Sequence, residues 1–400
     1  MGNGNNLYLD EQGNPMVLEE VMEVQNSKNS LTIGIPKESM DGEQRVSMTP
    51  DSVEILVKSG IDVVVQEDAG EPAGFSNEAY AKSGAKISIS AIDAFRSDAI
   101  VKVGFPDRLE VELMRDHSLI FSSLYCDTPE AIAAMKSMSD KKMTAIAFDR
   151  ITDDSGHSPI QKTLEQIAGK TAVLVAAELL STWHGGKGLL LCEVPGIEPL
   201  KMLILGTGVI ADAAAKTAIS LGVSVTVLGT PPNRLGELGQ IPITGMLYSG
   251  NLSRHMEAAD VVIGAVNPLD DEHFTIDDDM VKRMKKGAVI IDVLADKGGC
   301  FSSTSSHPMD SPIYVKYGVM HFCVPNITSL AAHTASAAIS NMLLPILLKL
   351  ARVGTIVHLL KEEQGICNGA YLLKGIHTNY HIAKQHNVSA QSINILLKAL

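Results

Sequence analysis

"KMLILGTGVIADAAAKTAISLGVSVTVLGTPPNRL", residues 201–235, decides the fold. An apolar run, Met202 to Leu205, enters Gly206-Thr207-Gly208-Val209-Ile210-Ala211. An alanine-rich helical stretch follows, and a second apolar run covers Val223 to Leu228. Strand, glycine turn, helix and strand in that order form half of a dinucleotide-binding unit. Glycines alone would say little; the elements on both sides give them weight. Gly206 permits the tight turn, and Gly208 leaves room for a pyrophosphate at a helix N-terminus that starts with Val209. Ala211 lets helix and sheet approach. The competing reading keeps these residues for packing alone.

The second strand stops at Gly229, where an acidic residue ordinarily holds the adenine ribose. Losing that carboxylate weakens selection for NAD and removes the barrier to NADP. Thr230, Asn233 and Arg234 follow, and a hydroxyl or guanidinium there suits a 2′-phosphate. Arg234 also reads as a solvent-facing residue at a helix start, so NAD and NADP both stay open.

Outward from this unit, 400 residues are too many for one ordinary core, so two domains are expected. The net charge of -13 argues against a nucleic-acid partner. The longest apolar region, "ASAAISNMLLPILLKLARV", is interrupted by Asn341, Pro345 and Lys349, which favours a buried helix over a membrane span. Cysteines at 126, 192, 300, 323 and 367 lack CxxC spacing and read as reduced cytoplasmic thiols; no metal-ligand spacing is present. Residues 1–30 are polar and read as a flexible extension, with one short helix at 17–24. From Leu31 onward apolar strands alternate with helical segments, the pattern of parallel βαβ units, and from about Ala331 the tail reads as helical.

The segments "IGIPKESMDGEQRVSMTP", "AGEPAGFSNEAY", "IVKVGFP", "IAGKTAV", "HGGKGLLLCEVPGIEP", "LGTGVIA", "IDVLADKGGCF" and "HFCVPN" occur in order after Ser30. In them the chain resembles alanine dehydrogenase and the nucleotide-binding alpha subunit of proton-translocating transhydrogenase, with "DKGGCFSSTSSHP" and "HFCVPN" closer to the former. The resemblance implies two Rossmann-like, doubly wound parallel-sheet α/β domains with a cleft between them. The expected boundaries are 31–160 with 333–400 for the substrate domain and 161–332 for the dinucleotide-binding domain. It implies NAD or NADP as cofactor, a small 2-oxo acid or amino acid as substrate, and a homo-oligomer, while the interrupted apolar run leaves no membrane association expected.

By the same resemblance, Arg45 binds the substrate carboxylate, for which its planar fork is suited. Lys102, alone among apolar residues, matches the lysine that contacts the substrate's oxygen, and Asp296 the acid that positions water or ammonia. Asn326 of "HFCVPN" belongs with the cofactor-binding residues. The pattern departs at three places. Tyr125 stands where the family carries a proton-shuttling His, Glu165 where it carries a small hydroxyl residue, and Gly229 at the ribose. A tyrosine of ordinary pKa near 10 is a poor base unless a cation such as Lys102 lowers it. Three readings therefore stand: an alanine dehydrogenase-type oxidoreductase with altered specificity, a catalytically silent ligand-binding relative, and a transhydrogenase-like nucleotide-binding subunit.

Overall fold

The computed structural model describes residues 31–124, 128–229, 251–266, 274–385 and 388–400. The expected extension, residues 1–30, lies outside them, as do Tyr125, Thr230 and Arg234. Strands run β1 (Thr32–Ile35), β2 (Asp62–Gln66), β3 (Lys86–Ser88), β4 (Ala99–Val101), β5 (Leu119–Ser122) and β6 (Thr144–Ala147). Next come β7 (Lys201–Leu205), β8 (Ser224–Leu228), β9 (Val261–Gly264), β10 (Val289–Asp292), β11 (Ile313–Lys316) and β12 (Val319–Phe322). The last two are β13 (Ala370–Leu373) and β14 (Ile376–His377).

Among the described residues these strands form two sheets, ordered β14-β13-β6-β5-β4-β1-β2-β3 and β11-β12-β10-β9-β7-β8. Pairing is parallel throughout each sheet's interior and antiparallel only at β6–β13, β13–β14 and β11–β12. A parallel sheet is covered on both faces, so its strands must be apolar on both. In the first sheet Ile33, Ile35, Val101 and Phe121 enter one core, while Ile100, Ile120 and Ala145 enter a second. The other sheet repeats this: Ile204, Ile263 and Ile291 face one core, and Leu205, Val262 and Ile290 the other.

In open α/β sheets ligands gather at the carboxyl ends of the strands, where the strand order reverses. The first sheet reverses between β1 and β4, and the second between β7 and β9. The segment with Arg45 follows β1, and Lys102 follows β4; the glycine turn follows β7. Sequence order thus delivers both sets of candidate residues to the places where such sheets bind ligands.

Two helices hold this arrangement together. Helix Pro159–Leu180 packs on helix Val209–Ser220 so closely that a Cβ on Gly169 would lie 2.2 Å from the Ile210 carbonyl oxygen. Helix Ala332–Val353 buries Ile339, Leu343, Leu347 and Leu350 in the first sheet's core. By length and composition alone Ile327–Val353 is long and apolar enough to cross a membrane. Here one face of it is core, and Ser336 and Ser340 accept hydrogen bonds from the Val46 and Thr49 amides, both at 2.9 Å. Those bonds clamp the loop that carries Arg45.

The expected all-helical tail is interrupted by the β13–β14 hairpin, which extends the first sheet. Leu373 pairs with Ile376, and the two loop residues, Lys374 and Gly375, have φ of 50° and 82°. Such two-residue loops need φ > 0 at both positions, usually Asn-Gly or Asp-Gly. Lys-Gly is a weak cue, which is why the hairpin was not legible in the sequence.

Candidate active site

The first wall of the site is a cluster of buried charges at the β1/β4 reversal. Glu43 takes the Arg45 fork side-on: Nε and Nη2 donate to its two oxygens at 2.7 and 2.5 Å. The Arg45 amide, Ser329 and Asn326 also donate to Glu43, at 3.0, 3.1 and 2.8 Å. Burial works against the charge of Glu43, yet the Arg45 guanidinium outweighs it and holds the carboxyl below its ordinary range. The Arg45 Nη1 donates to Thr328 at 3.0 Å. A guanidinium has five N–H donors, and these bonds use three, leaving one on each terminal nitrogen. That outer edge is what a carboxylate ligand takes with two parallel bonds.

Lys102 lies directly after β4, one residue beyond the strand in which the sequence placed it, and its side chain has no exposed surface. Its Nζ is 2.8 Å from Glu38 and 3.2 Å from Glu110. Burial acts to strip its proton, but the two carboxylates outweigh burial and raise its pKa. Glu38 also accepts from the amides of Val103 and Gly104, at 2.6 and 3.1 Å. Glu110 belongs to a capping box with Asp107 at the start of helix Arg108–Leu113. Ser47 donates to the Val101 carbonyl at 2.7 Å and joins the Arg45 loop to the strand end below Lys102.

Asp149 stands beside this cluster, in the short turn Phe148–Arg150 that follows β6. Burial raises its carboxyl above the ordinary range, against the charges of Arg150, Lys297 and Arg45. Lys297 and Asp296 sit in the turn Ala295–Lys297 after β10, so Asp149 lies in the field of both walls of the cleft. Asp296 falls inside that turn, whose N-cap is Leu294. Asp292, at the end of β10, accepts from Thr304 and the Cys300 amide at 2.7 and 3.3 Å, and its Oδ1 has no hydrogen-bond partner. Burial pushes this carboxyl up to about 6.

The second wall is the glycine turn. Gly206 has φ of 115°, and a Cβ there would lie 2.5 Å from the Ala265 carbonyl oxygen, across the β7/β9 reversal. Gly208 has an ordinary φ of −80°, and a Cβ on it would meet nothing within 4 Å. It is the N-cap of a 12-residue helix and offers no side-chain cap. Open space in front of uncapped helix amides is the geometry a pyrophosphate requires, so these residues fit a dinucleotide. Val209 opens the helix and Ala211 is fully buried against the sheet, as the sequence reading expected.

Gly229 follows β8 and packs against the same turn: its Cβ would lie 2.4 Å from the Thr207 methyl carbon and 3.2 Å from the Gly206 backbone. The missing ribose carboxylate and the Thr207 methyl thus compete for one space. Glu165 accepts from Gln161, one turn earlier on its own helix, at 2.8 Å. Asn326 takes the left-handed conformation at φ 58°, and its amide is spent on Glu43. His321 is buried with both ring nitrogens bonded, to Ser303 and the Val319 carbonyl, each at 3.0 Å. His333 stacks on Phe75 at 4.3 Å and reaches the Ala73 carbonyl at 2.8 Å. Both histidines have structural partners.

Sequence reasoning missed Glu38, Glu110, Thr328 and Asp149. Glu38 and Glu43 stand in "PKESMDGEQR", where they are two of five charged residues in ten, and "DRLE" is a visible capping box. Nothing local announces that Glu110 reaches Lys102.

Comparison with known proteins places the chain in a family. The family model described as Alanine dehydrogenase/PNT, N-terminal domain, matches residues 34–169, and the C-terminal domain model matches residues 172–380. The chain is 34% identical over 357 residues to an alanine dehydrogenase of Methanococcus maripaludis, covering 87% of this chain and 93% of that protein. It is 33% identical over 381 residues to one of Geobacillus stearothermophilus, covering 92% and 100%. A solved L-alanine dehydrogenase superposes with a TM-score of 0.79 at 30% identity, over 89% of this chain and 99% of that one. The transhydrogenase of Sinorhizobium meliloti does so at 0.73 and 23% identity, over 88% and 99%, which is a likeness of fold.

Proposed function

Because the chain belongs to the alanine dehydrogenase/PNT family, we propose that it is an NAD(P)-dependent amino-acid dehydrogenase. It would interconvert alanine, or a closely related small 2-amino acid, with the 2-oxo acid and ammonia. The observation that carries this reading is Arg45 at the β1/β4 reversal, with one N–H on each terminal nitrogen uncommitted among the described residues. A buried cation with a two-donor edge selects a small carboxylate.

The chain's own residues divide the work. Glu43 pins the guanidinium in one orientation, so a carboxylate meets a prearranged edge and loses little entropy on binding. Lys102, kept charged by Glu38 and Glu110, has one N–H uncommitted among the described residues, and once the site opens to admit substrate that N–H is assigned to the carbonyl oxygen, where negative charge gathers during addition. Asp296, on the opposite wall, is assigned to position water or ammonia. Gly208 and the uncapped helix hold the pyrophosphate, with Gly206, Val209 and Ala211 shaping the same turn, and Asn326 is assigned to the cofactor from the segment after β12. When bound, the nicotinamide dinucleotide supplies the acceptor for hydride from the substrate's α-carbon. With no carboxylate at Gly229, both NAD and NADP are admitted, and Thr230 and Arg234 are the residues assigned to a 2′-phosphate. Tyr125 remains the proton-relay candidate, but Lys102 is offset by two carboxylates and gives its phenol little help.

Sheet membership supports residues 31–160 with 333–400 as the substrate domain and 161–332 as the cofactor domain. Exposed Trp183, Leu190 and Ile197 support a homo-oligomer, and the free thiols of Cys192, Cys300, Cys323 and Cys367 a reducing, cytoplasmic location. The test is ammonia-dependent oxidation of NADH and NADPH with pyruvate, after titration of each cofactor by its own fluorescence. Trp183, 89% exposed, is a poor reporter of that titration. Cofactor binding without turnover on any small 2-oxo acid would refute the enzyme reading in favour of a silent relative.

A further inference from the structure

Among the described residues, Asp149 is a carboxylate in the field of Arg45 with no part in binding the substrate carboxylate, the carbonyl oxygen or the cofactor. Its side chain is 20% exposed, and Oδ1 is enclosed with no hydrogen-bond partner. Oδ2 is 3.9 Å from the Arg150 Nε, too far for a hydrogen bond. Arg45 and Lys297 act on it through charge, while the Arg45 fork is already taken by Glu43. An enclosed carboxylate oxygen without a donor is costly and rare, and such exceptions mark catalytic or ligand sites. What Oδ1 lacks is a donor, preferably a cationic one, that arrives from outside the protein.

We propose that Asp149 receives the amino group of the substrate, so that Arg45 and Asp149 read the two ends of a small amino-acid zwitterion. This rests on the dehydrogenase reading above. In a 2-amino acid the ammonium is one carbon from the carboxylate, so it needs an anion close to the cation that holds the other end. Asp149 follows β6 and Arg45 follows β1 in one sheet, each lies within the other's field, and both are largely enclosed. A 2-oxo or 2-hydroxy acid has no ammonium and gains nothing from Asp149. The residue therefore discriminates amino acids from their deaminated analogues.

The test compares the full chain with its Asp149→Asn and Asp149→Ala variants, using alanine, ammonia and pyruvate as substrates and lactate as a competitive inhibitor. The KM values for alanine and ammonia should rise about ten- to hundredfold, the loss of one charge-assisted hydrogen bond. Those for pyruvate and the inhibition by lactate should stay within about threefold of wild type. Asp149→Glu should recover part of the loss. An equal loss for all four ligands would instead make Asp149 a closing contact for Lys297 and overturn the proposal. So would unchanged alanine binding, or a collapse of the melting temperature in both variants. If the unaltered chain neither binds nor turns over alanine or pyruvate, the dehydrogenase reading fails first, and this proposal with it.

Discussion

The same substitution, glycine to alanine, should have opposite consequences two residues apart in the glycine turn. At Gly206 the backbone sits at φ 115°, where an L side chain is strained by about 1–3 kcal/mol. The new methyl would also press to 2.5 Å from the Ala265 carbonyl oxygen, an overpacking that typically costs about 1–3 kcal/mol more. Gly206→Ala should therefore destabilise the fold by at least about 2 kcal/mol. At Gly208 the conformation is ordinary and the methyl meets nothing. The gain from a stiffer unfolded chain and the loss of a better N-cap residue nearly cancel, leaving stability within about 1 kcal/mol of wild type. Yet that methyl enters the space in front of the uncapped helix amides. Gly208→Ala should weaken NADH and NADPH binding by at least about tenfold, one lost charge-assisted contact. The assay is thermal unfolding paired with cofactor titration by nicotinamide fluorescence. A Gly208→Ala protein that melts normally and binds cofactor with unchanged affinity would refute the cradle and leave the glycines as packing residues.

Three other outcomes follow from the geometry. Asp292 is 2% exposed, with its carboxyl at about 6 in the folded protein. A raised carboxyl favours the folded state below its unfolded pKa near 3.8, and this advantage is lost as pH rises through 6. Relative to Asp292→Asn, wild type should thus lose about 2 kcal/mol between pH 4 and pH 7 in urea unfolding, whereas a pH-independent difference would contradict it. Arg45→Met leaves Glu43 buried without its counter-charge and should cost about 3–5 kcal/mol, most of it recovered in the Glu43→Gln, Arg45→Met double variant; additive losses in a denaturant cycle would disprove the pairing. Gly229→Asp alone should destabilise the turn through Thr207. Combined with Thr207→Ala it should shift relative affinity toward NAD by about tenfold or more, and unchanged relative affinity in the double variant would remove Gly229 from cofactor selection.

Much of this protein was legible without its structure because the relevant signals are local. A strand, Gly206, Gly208 and Ala211, and a helix are contiguous, and their spacing reports a backbone shape that only those residues permit. The apolar alternation of short strands and helices likewise announces parallel sheets covered on both faces. The solitary lysine among apolar residues at Lys102 marked a group that has to be paired or used, since burying an unpaired ammonium is prohibitive.

What the sequence could not disclose is what depends on strand order. Glu38 meets Lys102 because β1 and β4 are neighbours, although β2 and β3 separate them along the chain, and Glu110 meets it because the helix after β4 turns back over the strand end. The Lys374-Gly375 hairpin joins the first sheet because β6 would otherwise be an open edge, a demand no local pattern expresses. Thr207 and Gly229 look like two unrelated departures until their side-chain positions prove to share one space. Asp149 reads as a surface residue in "FDRI", and only the turn after β6 carries it into the fields of Arg45 and Lys297. Periodicity and turn chemistry act over a few residues and can be read along the chain. Charge, exclusion and hydrogen bonding act over a few ångströms of space, so which groups they join is decided only when the sheets have closed.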